Sequence, residues 1–205
     1  PHAIIRSVEE GLKLDFPEAI LNERKLFEEC IESPQRQGLI HSFFAERANT
    51  KIPELKEGKP TELNKIGIIG GGTMGSGISM AAMNAGFNVI MIEQNDEAIQ
   101  KAKAKINSTY DRSVKLNRIT TEQKNKTMNM FSATTNFSDL KDRDLIIEAV
   151  FENMDIKKEV FVKLNNICSK DCILASNTSY LNVNEIASVV DNPSRVIGCL
   201  LYTSD

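Results

Sequence analysis

The sequence predicts an α/β protein, a doubly wound parallel sheet preceded by a short all-helical segment, and three observations predict it. Lys65 to Ile69 (KIGII) is a short apolar run rich in β-branched residues, the composition of a strand buried on both faces. It runs directly into Gly70-Gly71-Gly72-Thr73-Met74-Gly75, which fits G-x-G-x-x-G, and then into the Ala- and Met-rich, helix-compatible stretch Ser76 to Ala85. From Leu63 onward, strand-like runs alternate with amphipathic helical ones. That alternation implies parallel strands joined by right-handed crossovers, with helices on both faces.

The first βαβ unit carries a physical function in each part. Gly70 allows the tight strand-to-helix turn, Gly72 lets the backbone approach a pyrophosphate, and Gly75 lets the helix pack closely on the strand. The helix N-terminus offers unpaired N–H groups and the positive end of its dipole to phosphates. Gly86 stands where a helix C-cap glycine belongs. A second strand, Phe87 to Ile92, ends in Glu93, an acid placed to accept hydrogen bonds from adenosine ribose hydroxyls and to repel a 2′-phosphate. Strand, helix, second strand and acid together describe a Rossmann-like site for NAD rather than NADP.

Composition narrows the class. The chain has 205 residues, 41% hydrophobic and 26% charged, with a formal net charge of −3. That is ordinary globular usage, with no electrostatic reason to expect nucleic acid or an anionic membrane as partner. No apolar stretch approaches the ~20 residues that span a bilayer, and the N-terminal residues mix charge with apolar side chains unlike a signal peptide. Cys30, Cys168, Cys172 and Cys199 show no metal-ligand spacing, so no metal is expected, and they read as reduced, partly buried thiols. A bacterial cytoplasm is the expected setting, and a peroxisome or mitochondrion also suits the composition.

Taken in order, residues 1–48 read as helices. Ile4, Ile5, Val8 and Leu12 recur at helical spacing, Asp15 caps a second helix over Pro17 to Ile31, and Ser33-Pro34 restarts a third. That third helix carries Leu39, Ile40, Phe43 and Phe44, and His41 reads as a surface or packing residue. Three helices of this size have little core of their own. Residues 49–62, with two prolines, a glycine and many charges, read as a linker, and the nucleotide-binding unit occupies 63–205.

Beyond Glu93, Asn95 caps a long helix to about Leu116, with Ala98, Ala102, Ile106 and Tyr110 along one face. Thr120 and Gln123 form a capping-box pattern for a helix to about Met130. A short strand follows near Ser132 to Thr135, and Asp144 to Val150 is another buried strand. Asp155 starts a helix with Ile156, Val160, Phe161 and Leu164 on its apolar face. Cys172 to Ser176 is a strand, Asn177 to Tyr180 a loop, Asn182 to Val190 a short helix, and Arg195 to Gly198 opens a final strand. Ligands in such sheets sit at the carboxyl ends of the strands. Glu93-Gln94, Ala149 to Asn153 and Ser176 to Ser179 all land there beside the glycine loop. On position alone, Glu148 and Glu152 are as readily surface acids as site residues, and Asn177 to Ser179 as readily a polar turn.

Four segments, GIIGGGTMGSGI, IIEAVFENMDIKKEVF, ASNTSYLNVNEIA and RVIG, resemble the NAD-binding domain of 3-hydroxyacyl-CoA dehydrogenases. SPQRQGLIHSFFAERANTKIP resembles the tail of the enoyl-CoA hydratase part that precedes the dehydrogenase in multifunctional β-oxidation enzymes. The resemblance implies NAD as cofactor and an acyl-CoA substrate. It places Gly70, Gly72, Thr73, Met74 and Gly75 at the pyrophosphate and Glu93 with Gln94 at the adenosine ribose. Ala149, Val150, Glu152 and Lys157 would line the nicotinamide side, Asn177 would meet the nicotinamide ribose, and Ser179 would hydrogen-bond the substrate's 3-oxygen as the catalytic contact. It further implies a C-terminal helical domain and an upstream hydratase domain in a longer parent, with a thiolase partner or a homo-oligomer compatible with it.

One departure stands out. The family has a histidine two positions after the Gly198 counterpart, and here Leu200 stands in its place. Leucine cannot take a proton, and the two histidines, His2 and His41, lie outside the nucleotide-binding unit. The expectation is a fragment in which residues 199–205 are atypical and the last six or seven residues are foreign to the gene. The alternative is a non-catalytic NAD-binding or interaction module in which Leu200 is native.

Overall fold

The computed structural model describes residues 2–49 and 61–199. Most of the expected linker, and residues 200–205 with Leu200 among them, lie outside the described residues. The chain divides into two compact units, Pro1–Pro60 and Thr61–Asp205.

The first unit contains three helices, α1 (His2–Gly11), α2 (Phe16–Glu32) and α3 (Pro34–Asn49). Asp15 caps α2 by accepting from the Glu18 N–H at 3.0 Å, and Ser33 Oγ accepts from the Arg36 N–H at 3.3 Å at the start of α3. Both caps lie where serine, aspartate and proline placed them. α1 and α2 are joined by Arg6–Glu29 at 3.0 Å and Asn22–Glu10 at 2.9 Å. Leu26 is the buried hydrophobic of this unit among its described residues, while Ile4, Val8, Leu12, Phe43 and Phe44 are exposed, as is His41.

The second unit holds a six-stranded, all-parallel sheet in the order β3-β2-β1-β4-β5-β6. The strands are β1 (Lys65–Ile69), β2 (Asn88–Ile92), β3 (Phe131–Thr134), β4 (Leu145–Glu148), β5 (Ile173–Ser176) and β6 (Val196–Gly198). The helices are α4 (Thr73–Asn84), α5 (Asp96–Lys115), α6 (Thr121–Met128), α7 (Met154–Ile167) and α8 (Val183–Ala187). This is the doubly wound order whose direction reverses between β1 and β4, the switch point where such sheets bind ligands.

The period of two along β1 divides the core. Ile66 and Ile68 pack with Ile78 and Met83 of α4 and Ile106 and Tyr110 of α5. Ile69 packs on the opposite face with Val160, Phe161 and Leu164 of α7 and Ile186 of α8. Each fully buried aliphatic side chain contributes roughly 1.5–3 kcal/mol relative to exposure.

Two helix faces differ from the sequence reading. α5 buries Ile99 with Ala102, Ile106 and Tyr110, while Ala98 is only half-buried. α7 buries Lys157, Val160, Phe161 and Leu164, whereas Ile156 is 39% exposed. Its N-cap is Asn153, accepting from the Ile156 N–H at 3.1 Å, so the helix begins ahead of Asp155. The physical reason for the rotated face is an ion pair that gives the lysine, not the isoleucine, a buried partner. The expected boundaries of the other elements shift by a residue or two, except α4, which begins at Thr73 rather than Ser76, and the short helix, whose regular part ends at Ala187.

Candidate functional site

The glycine turn follows β1 at the switch point. Gly70 has φ +94°, and a Cβ there would lie 2.7 Å from the Ala149 carbonyl oxygen, so geometry and space both require glycine. At Gly75 a Cβ would fall 1.7 Å from the Gly70 carbonyl oxygen, which fixes how closely α4 approaches the turn. Gly72 is different: among the described residues no atom lies within 4 Å of its would-be Cβ. It caps α4 without a side-chain hydrogen bond, leaving first-turn N–H groups for an external acceptor. Thr73 and Met74 occupy that turn, both exposed, and Lys105 of α5 donates to Thr73 Oγ1 at 3.2 Å. A positive helix end, an exposed ammonium and an unhindered glycine backbone fit a dinucleotide pyrophosphate.

Glu93 leaves β2 beside this turn. Its Oε1 accepts from the Gly71 N–H at 2.5 Å and its Oε2 from the Gln94 N–H at 3.0 Å, so the acid braces the loop as well as facing the site. Gly71 also has a role that the sequence motif leaves to any residue. A Cβ there would lie 2.7 Å from both Ala102 Cβ and Met91 Sδ. A cavity of about 540 Å³ opens between the carboxyl ends of β1, β2 and β4, lined by Gly70, Gly72, Glu93, Gln94, Phe137, Val150 and Val160 among others. Its volume and mixed lining suit one half of a dinucleotide. Lys163 stands over the Phe137 ring at 5.6 Å at this cavity. The sequence reading leaves Phe137 and Lys163 unassigned and gives Val160 only as part of an apolar helix face, because nothing in their local pattern separates a pocket wall from a helix surface.

The other candidate residues gather at the carboxyl ends of β4 and β5. Ala149 stays in the ladder through its N–H to the Ile69 carbonyl at 2.8 Å, and Asn177 through its N–H to the Glu148 carbonyl at 2.8 Å. Asn177 Nδ2 donates to the Cys199 carbonyl at 2.7 Å, tying the loop after β5 to the residue after β6. Glu152 accepts on Oε1 from Thr178 Oγ1 at 2.6 Å and the Ser179 N–H at 2.7 Å, and its Oε2 lies 3.2 Å from Lys157 Nζ. Burial opposes ionisation of Glu152, but the bonds from Thr178, Ser179 and Lys157 outweigh it and hold its carboxyl below the usual glutamate range. Ser179 itself is exposed, and its hydroxyl makes no hydrogen bond among the described residues.

Two of these side chains lie fully buried behind the site. Lys157 does not line an open surface: its side chain is fully buried, paired with Glu148 at 2.7 Å and with Glu152. Glu148 is no surface acid either, being fully buried at the end of β4. The available signal was a charge inside the apolar run DLIIEAV, which a buried strand tolerates only with a partner. Among the described residues no cluster of three or more His, Cys, Asp or Glu is placed to hold a metal, and no helix is long and apolar enough to cross a membrane.

Known proteins are similar to this chain in sequence and fold. The family model described as "3-hydroxyacyl-CoA dehydrogenase, NAD binding domain" matches residues 65–200. The "Peroxisomal fatty acid beta-oxidation multifunctional protein" of Oryza sativa subsp. japonica is 34% identical over 203 residues, covering 98% of this chain and 28% of that protein. The "3-hydroxybutyryl-CoA dehydrogenase" of Clostridioides difficile is 42% identical over 134 residues, 65% of this chain and 48% of that protein. Among solved structures, (S)-3-hydroxybutyryl-CoA dehydrogenase PaaH1 from Ralstonia eutropha superposes with a TM-score of 0.67 at 35% identity, covering 69% of this chain and 50% of that one. The chain thus spans only 28% of the length of the multifunctional relatives it matches nearly end to end.

Proposed function

The chain belongs to the 3-hydroxyacyl-CoA dehydrogenase family, whose NAD-binding domain it carries, and from that premise we propose that it supplies this domain to a multifunctional β-oxidation enzyme. The reaction is oxidation of a 3-hydroxyacyl-CoA to the 3-ketoacyl-CoA. The observation that carries the reading is one sheet edge bearing both the unhindered glycine turn and, across the switch point, Glu152 with Ser179. Residues 1–48 are then the tail of a preceding hydratase domain. A fatty-acid-oxidising compartment is implied, either a bacterial cytoplasm or the peroxisome that the plant relatives' names give. The missing parts of the parent would also carry any thiolase or self-association contacts.

NAD, when bound, accepts the hydride from the substrate carbon. The chain's own residues bind and orient. Gly70, Gly72, Thr73, Met74 and Gly75 hold the pyrophosphate, and Lys105 adds a positive charge beside them. Glu93 and Gln94 take the adenosine ribose, and the Glu93 carboxylate disfavours a 2′-phosphate by like-charge repulsion. Ala149, Val150, Glu152 and Asn177 form the nicotinamide side, Lys157 acting there through Glu152. The Ser179 hydroxyl, exposed and without a partner among the described residues, donates to the substrate's 3-oxygen. Leu200 provides no proton acceptor, so the 205-residue chain binds NAD without appreciable turnover.

The test compares this chain with its full-length parent in a 3-hydroxyacyl-CoA oxidation assay followed by NADH formation. The parent turns over and Ser179→Ala lowers its rate by about 10²-fold or more, the scale of a lost transition-state hydrogen bond. Oxidation of free hydroxy acids in preference to CoA esters by the parent contradicts the substrate assignment. A rate in the isolated chain like that of the parent contradicts the role given to Leu200.

A further inference from the structure

Glu148 brings a negative charge to the end of a central strand, and every oxygen of its carboxylate is used. Oε1 accepts from the Val150 N–H at 2.8 Å and from Lys157 Nζ at 2.7 Å, and Oε2 accepts from Ser176 Oγ at 2.6 Å. Neither Glu148 nor Lys157 has any exposed surface. The lysine is shared, its ammonium also reaching Glu152 Oε2 at 3.2 Å. Glu152 in turn holds the loop after β5, through Thr178 Oγ1 at 2.6 Å, the Ser179 N–H at 2.7 Å and the Tyr180 N–H at 3.4 Å. An unbroken line of charge-assisted hydrogen bonds therefore runs from the end of β4, through the second turn of α7, to the backbone of Ser179.

Packing alone does not ask for these groups. The flanking positions are filled by Ile147, Phe161 and Leu174, and an apolar pair at 148 and 157 would avoid the desolvation of two charges. What an apolar pair cannot do is hold the half-exposed Glu152 in one position. Without a cation behind it, that side chain has no bond that fixes it from the α7 side.

We propose that Glu148 is a positioning residue for the substrate side of the site: it anchors Lys157, Lys157 fixes Glu152, and Glu152 sets the posture of the Thr178–Ser179 backbone that presents the Ser179 hydroxyl. This rests on reading the loop after β5 as the substrate side of an NAD site. Glu148 touches neither partner itself and acts through the chain of bonds.

Amide hydrogen exchange on the full chain tests it. Glu148→Gln nearly preserves shape and can still accept from Val150, but it removes the lysine's buried counter-charge. Exchange at the Ser179 amide rises by about tenfold or more, while Ile68 and Leu174 in the sheet keep their protection, as expected for a local opening. NADH affinity falls in the same variant. The double variant E148Q/K157M removes both charges together and guards against a folding defect from a buried lysine left without its buried partner. Its sheet amides stay protected and its Ser179 amide still exchanges fast, because Glu152 has lost its anchor. Protection at Ser179 equal to that of the original chain in either variant overturns the proposal. So does a uniform acceleration of sheet and loop amides in both, which marks a purely structural ion pair. The exchange readout needs no cofactor, so a chain that fails to bind NADH defeats the NAD reading while leaving this result decisive.

Discussion

Gly72 and Gly75 lie in the same turn and have opposite tolerances for a methyl group. A Cβ at 75 would sit 1.7 Å from a carbonyl oxygen, while one at 72 meets nothing within 4 Å among the described residues. Gly75→Ala must move α4 off β1 and costs about 3 kcal/mol, the upper range for overpacking, in urea unfolding. Gly72→Ala, at an ordinary φ of −61°, changes stability by no more than about 0.5 kcal/mol yet weakens NADH binding about tenfold or more by intruding on the phosphate. Equal effects on stability contradict this division. The glycine pattern was legible because its spacing encodes backbone geometry. The Glu148–Lys157 pair was not: the charge inside the apolar run DLIIEAV signals that a partner is needed, but only the fold, by bringing the tip of β4 against the inner face of α7, shows which one.

At the level of elements, the caps were the most legible features. Asp15, Ser33, Asn95 and Thr120 with Gln123 all cap as their residue types imply, the last pair with both arms of a capping box. These interactions are local, so the sequence window contains the whole cause. α7 is the exception. The sequence reading starts it at Asp155, yet Asn153, beside Glu152, is the cap. Asn153→Ala is expected to lower stability by about 1 kcal/mol, measured by chemical denaturation, and to weaken NADH binding by freeing the segment that carries Glu152. The comparison substitution Thr120→Ala, far from the cavity, costs a similar amount without changing binding. A matched loss of binding in Thr120→Ala would mean that stability, not local posture, limits the site.

Across the whole molecule, the alternation of strand and helix gave the sheet and its winding because parallel sheets bury both faces and write that burial as continuous apolar runs. The helical unit gave less, since Ile4, Leu12 and Phe44 show a periodicity whose covering surface is not among the described residues of that unit. Electrostatics of the sheet's amino edge contributes to the acid limit. Asp142 is held down to about 2 chiefly by its hydrogen bond from Lys65, and Asp144 is lowered chiefly by the Asn64 and Lys65 N–H groups it accepts from. Because both folded values lie below the unfolded ones, their stabilisation is complete above the unfolded aspartate range and lost as pH falls from there towards about 2. Unfolding free energy measured against pH declines over that window, and Asp144→Asn flattens the decline; an unchanged slope contradicts it. Thiol labelling reads the same architecture. Cys30 is exposed and Cys168 and Cys172 are buried, more so than composition suggested, so a bulky disulfide reagent modifies Cys30 first and reaches the buried pair only on unfolding.

The measurement closest to the central claim is a calorimetric titration of the 205-residue chain with NADH and, separately, NADPH. The account predicts saturable one-to-one binding of NADH, much weaker binding of NADPH, and a gain in NADPH affinity when Glu93 is replaced by alanine. No binding of either nucleotide, or equal binding of both by the unaltered chain, would contradict the assignment of the glycine turn and Glu93 to an NAD site.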